Sequence, residues 1–213
     1  MFLKILYLLR EIAKIPIILL NNITYCYVKL IRLFDFVNIS KFWEENLQNY
    51  IDKSKSKKIF IGREKYISFY CPNTICNYRA KTFYSKEPDT IKWLNSMGGK
   101  NKILYDIGAN MGIYSIYYSK KYNARSYSFE PSFKNLDILT RNIKLNNLQK
   151  LVTVIPNAVT KKNQISDFFQ LNFIAGFAGA TFDDQFNKKR IKTVNKNEYK
   201  PIEYLTLGVN LDM

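Results

Sequence analysis

The chain has 213 residues, with 33 Lys and Arg against 17 Asp and Glu, a formal net charge of +16, no histidine and 47% hydrophobic residues. That length and apolar content exclude global disorder and favour one domain of ordinary size with a small appendage. The missing histidine excludes His-based general-base catalysis and His ligation of a metal within these residues, while the charge points to an anionic partner or to a compositional bias towards lysine.

Residues 1–36 are rich in Leu, Ile, Tyr and Phe. The longest uncharged stretch, Ile15 to Val28, is too short to span a bilayer and contains Asn21 and Asn22. No small-residue cleavage site follows it, which argues against a secretory leader. Lys4, Glu11 and Lys14 fall near one helical face, and Ile5, Leu8, Leu9 and Ile12 cover much of the rest. This spacing predicts a helical region that either packs on the domain or lies on an anionic membrane, with Arg10, Lys14, Lys29 and Arg32 at the headgroups. The three cysteines, Cys26, Cys71 and Cys76, lack the spacing of a zinc site. They read as reduced structural thiols of a cytosolic protein, and no metal site is expected.

The charged run Lys53–Lys58 reads as a linker, so residues 1–57 form an N-terminal helical extension. Residues 58–100 form a lead-in: a hairpin over 59–70, then a short helix from Glu87, with Pro88 in its first turn and Gly98-Gly99 after its end. From residue 101 the pattern is regular. Strands are expected over 102–106, 124–129 and 151–155. Helices are expected over 111–121 and after Ser132, the latter with Phe133, Leu136, Leu139 and Ile143 on one face. Alternation of this kind predicts an α/β fold with a partial, doubly wound, Rossmann-like parallel sheet. A further strand is expected over 165–172, and 173–182 reads as a Gly-rich aromatic loop. Only three parallel strands are legible, so the expectation is an N-terminal piece that stops before the fourth core strand.

The chemistry centres on Asp106-Ile107-Gly108-Ala109-Asn110-Met111-Gly112, with Glu130 eighteen residues past the last glycine. A glycine turn between strand and helix lets backbone approach a ligand, and an acid at the next strand end suits ribose hydroxyls. Asn110 replaces the middle glycine of a dinucleotide turn, and Asp106 leads the motif. A carboxylate there repels phosphate and suits a cationic amino group, which fits S-adenosylmethionine. The cofactor-binding candidates are therefore Asp106, Gly108, Asn110, Gly112, Glu130 and Asn157, the last placed to meet an adenine edge. Phe173, Phe177 and Phe182 are candidates to wall a sugar or adenine pocket, or to pack in the core. Asp183 and Asp184 are weak candidates for a general base, with a solvated turn as the alternative.

Residues 81–182 resemble the FkbM family of S-adenosylmethionine-dependent methyltransferases. The matching stretches run from Lys86 to Leu94, Tyr105 to Ser115, Ser128 to Asn135, Asn142 to Leu148 and Pro156 to Val159. The resemblance implies a class I methyltransferase fold and O-methylation of a hydroxyl, often on a sugar of a polysaccharide. Tyr204–Asp212 resembles the lead-in to that family's next core strand. A glycan or small-molecule hydroxyl is the acceptor this implies. Nucleic-acid methylation is the alternative raised by the charge, but no Asn/Asp-Pro-Pro-aromatic motif supports it, and nucleic acid is disfavoured as a partner. An inactive remnant acting at a membrane or in an interaction is the non-enzyme alternative.

Overall fold

The computed structural model describes residues 15–16, 19–27, 29–30, 39–62, 64–183 and 201–212. The chain divides into two units, Met1–Ser54 and Lys55–Met213. In the first, the described part of 15–30 is helical, and helix α1 runs Ile39–Ser54. Ile15, Leu19, Leu20, Ile23 and Leu30 are all exposed. Among the described residues no helix is long and apolar enough to cross a membrane. The expectations for residues 1–14 and 31–36 lie outside the described residues.

The second unit opens with an antiparallel hairpin, β1 (Ser56–Phe60) and β2 (Tyr66–Tyr70), paired from Ser56↔Tyr70 to Phe60↔Tyr66. Strand β1 thus begins inside the lysine run that reads as a linker. Lys57 and Lys58 are exposed there, which an edge strand tolerates and uses to resist further pairing. Helix α2 (Thr74–Lys81) has no counterpart in the sequence expectations. Its start is set by Asn73, whose Oδ1 accepts from the Cys76 N–H at 2.8 Å. Helix α3 (Pro88–Ser96) begins on the expected proline and buries Ile91 and Leu94.

The core follows as β3 (Ile103–Ile107), α4 (Ile113–Tyr122), β4 (Arg125–Phe129), α5 (Phe133–Leu145) and β5 (Val152–Ile155). The three strands are parallel in the order β3-β4-β5, in register from Ile103↔Arg125 and Ser126↔Val152. This is an α/β fold with a Rossmann-like parallel sheet. A second sheet contains β6 (Ala158–Val159), β7 (Gln164–Gln170), β8 (Ala180–Phe182) and β9 (Ile202–Val209), in the order β6-β9-β7-β8. Strand β9 is parallel to β6 and antiparallel to β7. The stretch read as a loop over 173–182 therefore ends in a strand.

Helix α5 packs its expected face through Leu136, Leu139 and Ile143 and departs from it at Phe133. Leu139 and Ile143 are buried, but Phe133 is 59% exposed, and Asn135 and Asn142 are buried in its place. Phe133 instead stacks on Tyr204 of β9, with ring centroids 4.9 Å apart, and Asn135 is held by the Gly176 N–H, while Asn142 faces the open edge of β2. Asn142 Oδ1 accepts from the Tyr70 N–H at 2.7 Å, and Asn146 Oδ1 accepts from the Ser68 N–H at 2.8 Å. Asn146 Nδ2 donates back to the Ser68 carbonyl. Side-chain amides thus satisfy backbone groups that would otherwise be buried without partners. Around them pack Ile67, Phe69, Leu94, Met111, Ile116, Tyr117 and Leu139, each worth roughly 1.5–3 kcal/mol of burial.

Candidate functional site

The turn between β3 and α4 is built on left-handed backbone. Gly108, Asn110 and Gly112 have φ of 76°, 53° and 82°, values that glycine adopts freely and asparagine tolerates. The two glycines serve different ends. A Cβ on Gly112 would sit 2.4 Å from Leu139 Cδ1, so this position lets α4 pack on α5. A Cβ on Gly108 would meet nothing within 4 Å. Its open face is a cradle that a side chain would fill. The Gly108 and Ala109 N–H groups donate to the Phe129 carbonyl, tying the turn to the end of β4.

Glu130 follows directly on β4 and is 5% exposed. Its Oε2 accepts from the Asn110 N–H at 2.7 Å, and its Oε1 accepts from the Ser132 N–H at 2.8 Å. The carboxylate locks the glycine turn to the start of α5. Burial raises its pKa, and these two N–H groups counter the shift. The Asn135 side-chain amide is a third donor to this carboxylate and also lowers its pKa, which leaves about one of its roughly four acceptor positions for an incoming hydroxyl.

Asp106 is also buried, at the end of β3. Its Oδ2 accepts from both the N–H and the hydroxyl of Ser115. Ser128 Oγ donates to Ser115 Oγ at 2.7 Å, and Ser119 and Ser126 share a hydrogen bond at 2.8 Å. This buried seam of hydroxyls joins α4 to β4. Burial raises the Asp106 pKa, with Ser115 opposing it.

Two hollows flank the turn and share Ile107, Gly108, Asn110 and Ala178 in their walls. One, of about 250 Å³, is lined by Glu130 and Asn157 with Phe129, Phe168, Phe177 and Phe182. The other, of about 280 Å³, is lined by Asp106 together with Arg79, Lys86, Glu87 and Tyr114. The loop between β7 and β8 is pinned above the turn. Asn110 Nδ2 donates to the Phe177 carbonyl at 3.0 Å, and Asn135 Oδ1 accepts from the Gly176 N–H at 2.8 Å.

The sequence candidates thus separate. Asp106, Gly108, Asn110, Glu130 and Asn157 all line one hollow or both. Gly112 acts through packing. Asn157 also donates to the Leu207 carbonyl of β9 at 3.2 Å. Phe177 and Phe182 wall the Glu130 hollow, whereas Phe173 carries the Lys134 ammonium over its ring. Asp183 lines neither hollow. It is exposed, and its carboxylate accepts from Ser166 and Gln164, which lower its pKa. Asp184 lies outside the described residues. Cys71 and Cys76 form no disulfide, and burial lifts their thiols to about 12 and about 11. Arg79, Glu87 and Tyr114 line the Asp106 hollow and were not among the sequence candidates. The Lys86-Glu87-Pro88 stretch was the available signal for Glu87.

No protein-family profile matches the chain, and none of the curated proteins matches it. Solved structures that resemble it include the MccD protein, at 20% identity and TM-score 0.29 over 31% of this chain and 30% of that one. PH0793 of Pyrococcus horikoshii, a candidate transferase, is 11% identical, with TM-score 0.32 over 47% and 36% of the two chains. TYW2 of M. jannaschii, solved in complex with AdoMet, is 19% identical, with TM-score 0.34 over 51% and 47%. The matched region spans less than half the length of each of these proteins.

Proposed function

We propose that this chain binds S-adenosylmethionine over the Gly108–Asn110 turn and belongs to a methyltransferase that acts on a hydroxyl of a sugar-type or other small-molecule acceptor. The observation that carries the cofactor reading is the open face of Gly108 beside a buried Glu130 whose oxygens keep acceptor capacity. Glu130 would hold the ribose hydroxyls. Asn157 would meet the adenine edge between phenylalanine rings, and Asp106 would favour a cationic group on the far side of the turn. The acceptor class comes from the FkbM resemblance of the motifs.

When bound, the cofactor supplies a methyl group already activated by a positive sulfur. The chain's part is to bind, orient and exclude water so that the acceptor oxygen lies in line. With no histidine in these 213 residues, the acceptor's proton would pass to a carboxylate or to water. Calorimetry tests the cofactor reading. Saturable S-adenosylmethionine binding is expected, weakened at least about tenfold in Glu130→Gln, which loses a charge-assisted pair and also sets its amide nitrogen against the Asn110 or Ser132 N–H. Wild-type protein that binds nothing would sink it.

We also propose that the N-terminal unit makes peripheral contact with anionic membranes. The exposed Ile15, Leu19, Leu20, Ile23 and Leu30 on helical backbone, with Lys29 among them, support this. Co-flotation of the full chain with phosphatidylserine vesicles, but not with neutral ones, is the expected result. Equal partitioning onto both vesicle types would count against an electrostatic contact.

A further inference from the structure

We propose that the end of the second unit opposite the glycine turn docks on an anionic lipid surface, with Lys100, Lys102, Arg125 and Lys150 at the headgroups and Trp93 and Met97 below them. This surface is separate from both hollows and from the N-terminal unit, so it needs neither reading above. The parallel sheet brings the cations together. Ile103 pairs with Arg125 and Ser126 with Val152, so Lys102, Arg125 and Lys150 lie side by side where β3, β4 and β5 begin. Lys100 stands in the turn that the Lys102 N–H closes on the Gly99 carbonyl. All four are exposed, and none meets an acid among the described residues. Between residues 90 and 129 the one acid is Asp106, buried at the far end of β3, and between 138 and 166 there is none. Lysines in the last turn of α4 have local work: Lys120 donates to the Asn146 carbonyl, and Lys121 to Asn95 and Tyr117. The four lead-in cations lie outside any helix and have no such partner.

Apolar groups stand at the same end. Asn95 of α3 binds Lys121 and Tyr122 at the end of α4, which puts the last turn of α3 there. Trp93 and Met97, one turn apart, are each more than half exposed. Asn142 meets Tyr70 and Asn146 meets Ser68, so β2 runs against α5 and its hairpin turn lies past the helix end. That turn carries exposed Phe60 and Tyr66, and one acid, Glu64, next to Lys65. Three of the four cations are lysines, point charges suited to scattered headgroups, and tryptophan favours the membrane–water boundary. Met97 and Phe60 gain burial in lipid and none on a phosphate backbone, which favours a membrane over nucleic acid. The glycine turn lies at the other end of β3, about 15 Å along the strand, so docking leaves both hollows open to solvent.

Trp93 reports on this surface. The full chain carrying Trp43→Phe keeps Trp93 as its one tryptophan. It is titrated with phosphatidylserine–phosphatidylcholine vesicles and with pure phosphatidylcholine vesicles. Trp93 emission should move to the blue on the anionic vesicles and stay unchanged on the neutral ones. Each cation at such a surface contributes about fivefold in affinity, so Lys102→Gln with Arg125→Gln should raise the lipid needed for half the shift about 25-fold. Lys161→Gln with Lys162→Gln removes the same charge from exposed sites after β6 and should change it by less than about twofold, being beyond a Debye length. All four substituted side chains are exposed, so both variants should melt as wild type does. A Trp93 that stays unshifted overturns the proposal, and flotation in that case assigns the membrane contact to the N-terminal unit. Equal losses in the two double variants, or an equal shift on neutral vesicles, would overturn it as well. So would a Trp93 that responds to single-stranded RNA and not to the vesicles.

Discussion

The hollow over Glu130 and the hollow over Glu87 share Gly108, Asn110 and Ala178, yet Phe129, Phe168, Phe177 and Phe182 wall the first while Arg79, Lys86 and Glu87 line the second. Their acids differ as well. Glu130 is buried and committed to two backbone N–H groups, whereas Glu87 is half exposed and held by one tyrosine. The deep acid therefore builds the turn as well as facing the cavity, while the shallow one holds no backbone group of the turn. The shared floor should be the most sensitive to substitution, and the charged rim the most specific.

Gly112→Ala should do the most damage. It forces a Cβ into Leu139 at positive φ, costing about 2–5 kcal/mol from left-handed strain plus overpacking. Thermal unfolding should show a fall of roughly 5–20 °C, and both hollows should lose binding together. Asn142→Ala comes next. It orphans the Tyr70 N–H and the Met111 carbonyl, to which Asn142 Nδ2 donates at 2.9 Å. A loss of about 2–4 kcal/mol is expected in a denaturant titration. Gly108→Ala sharpens the contrast between the glycines. With nothing within 4 Å of its Cβ, it should cost only about 1–2 kcal/mol of backbone strain and yet abolish S-adenosylhomocysteine binding. If Gly108→Ala binds normally, the cradle is not the ligand's seat.

A pH effect should follow from the two buried acids. Burial raises the pKa of Asp106 and of Glu130 above their ordinary 3.8 and 4.5. A raised carboxyl favours the folded state in its neutral form, so its contribution is complete below the ordinary value and is lost as pH rises through the raised one. The ligand-free protein should therefore lose stability as pH climbs from about 4 through the weakly acid range. Asp106→Asn, which can still accept from Ser115, should flatten that slope in thermal melts taken across it. The smallest effect is expected from Asp183→Asn. Its carboxylate sits on the surface with Ser166 and Gln164, and S-adenosylhomocysteine titration should return the wild-type affinity.

What the sequence made legible was local. Strand, glycine turn, helix and strand around Asp106–Glu130 could be read because period-two and period-3.6 patterns abut there with the turn between them. Helix α2 escaped because its residues Asn77, Tyr78, Arg79 and Lys81 make almost no apolar stripe, and its start depends on one Asn73 cap. Strand β9 pairs with β6 and β7 across dozens of residues, a closure no local pattern encodes. On α5 the apolar face was legible through Leu136, Leu139 and Ile143, whereas the burial of Asn142 and Asn146 was not, because it depends on the β2 edge they satisfy. In the site, acids and glycines announced themselves, while Arg79 and Tyr114 matter only through the elements that carry them to the turn.

The most direct test is a nuclear magnetic resonance titration of the ¹⁵N-labelled full chain with S-adenosylhomocysteine. The backbone amides of Gly108, Asn110 and Glu130 and the side-chain amide of Asn157 should shift and saturate together, while the amides of Ser166 and Asp183 stay still. Shifts confined to residues away from the Gly108–Asn110 turn, or none at saturating ligand, would contradict the assignment of that turn as the cofactor seat.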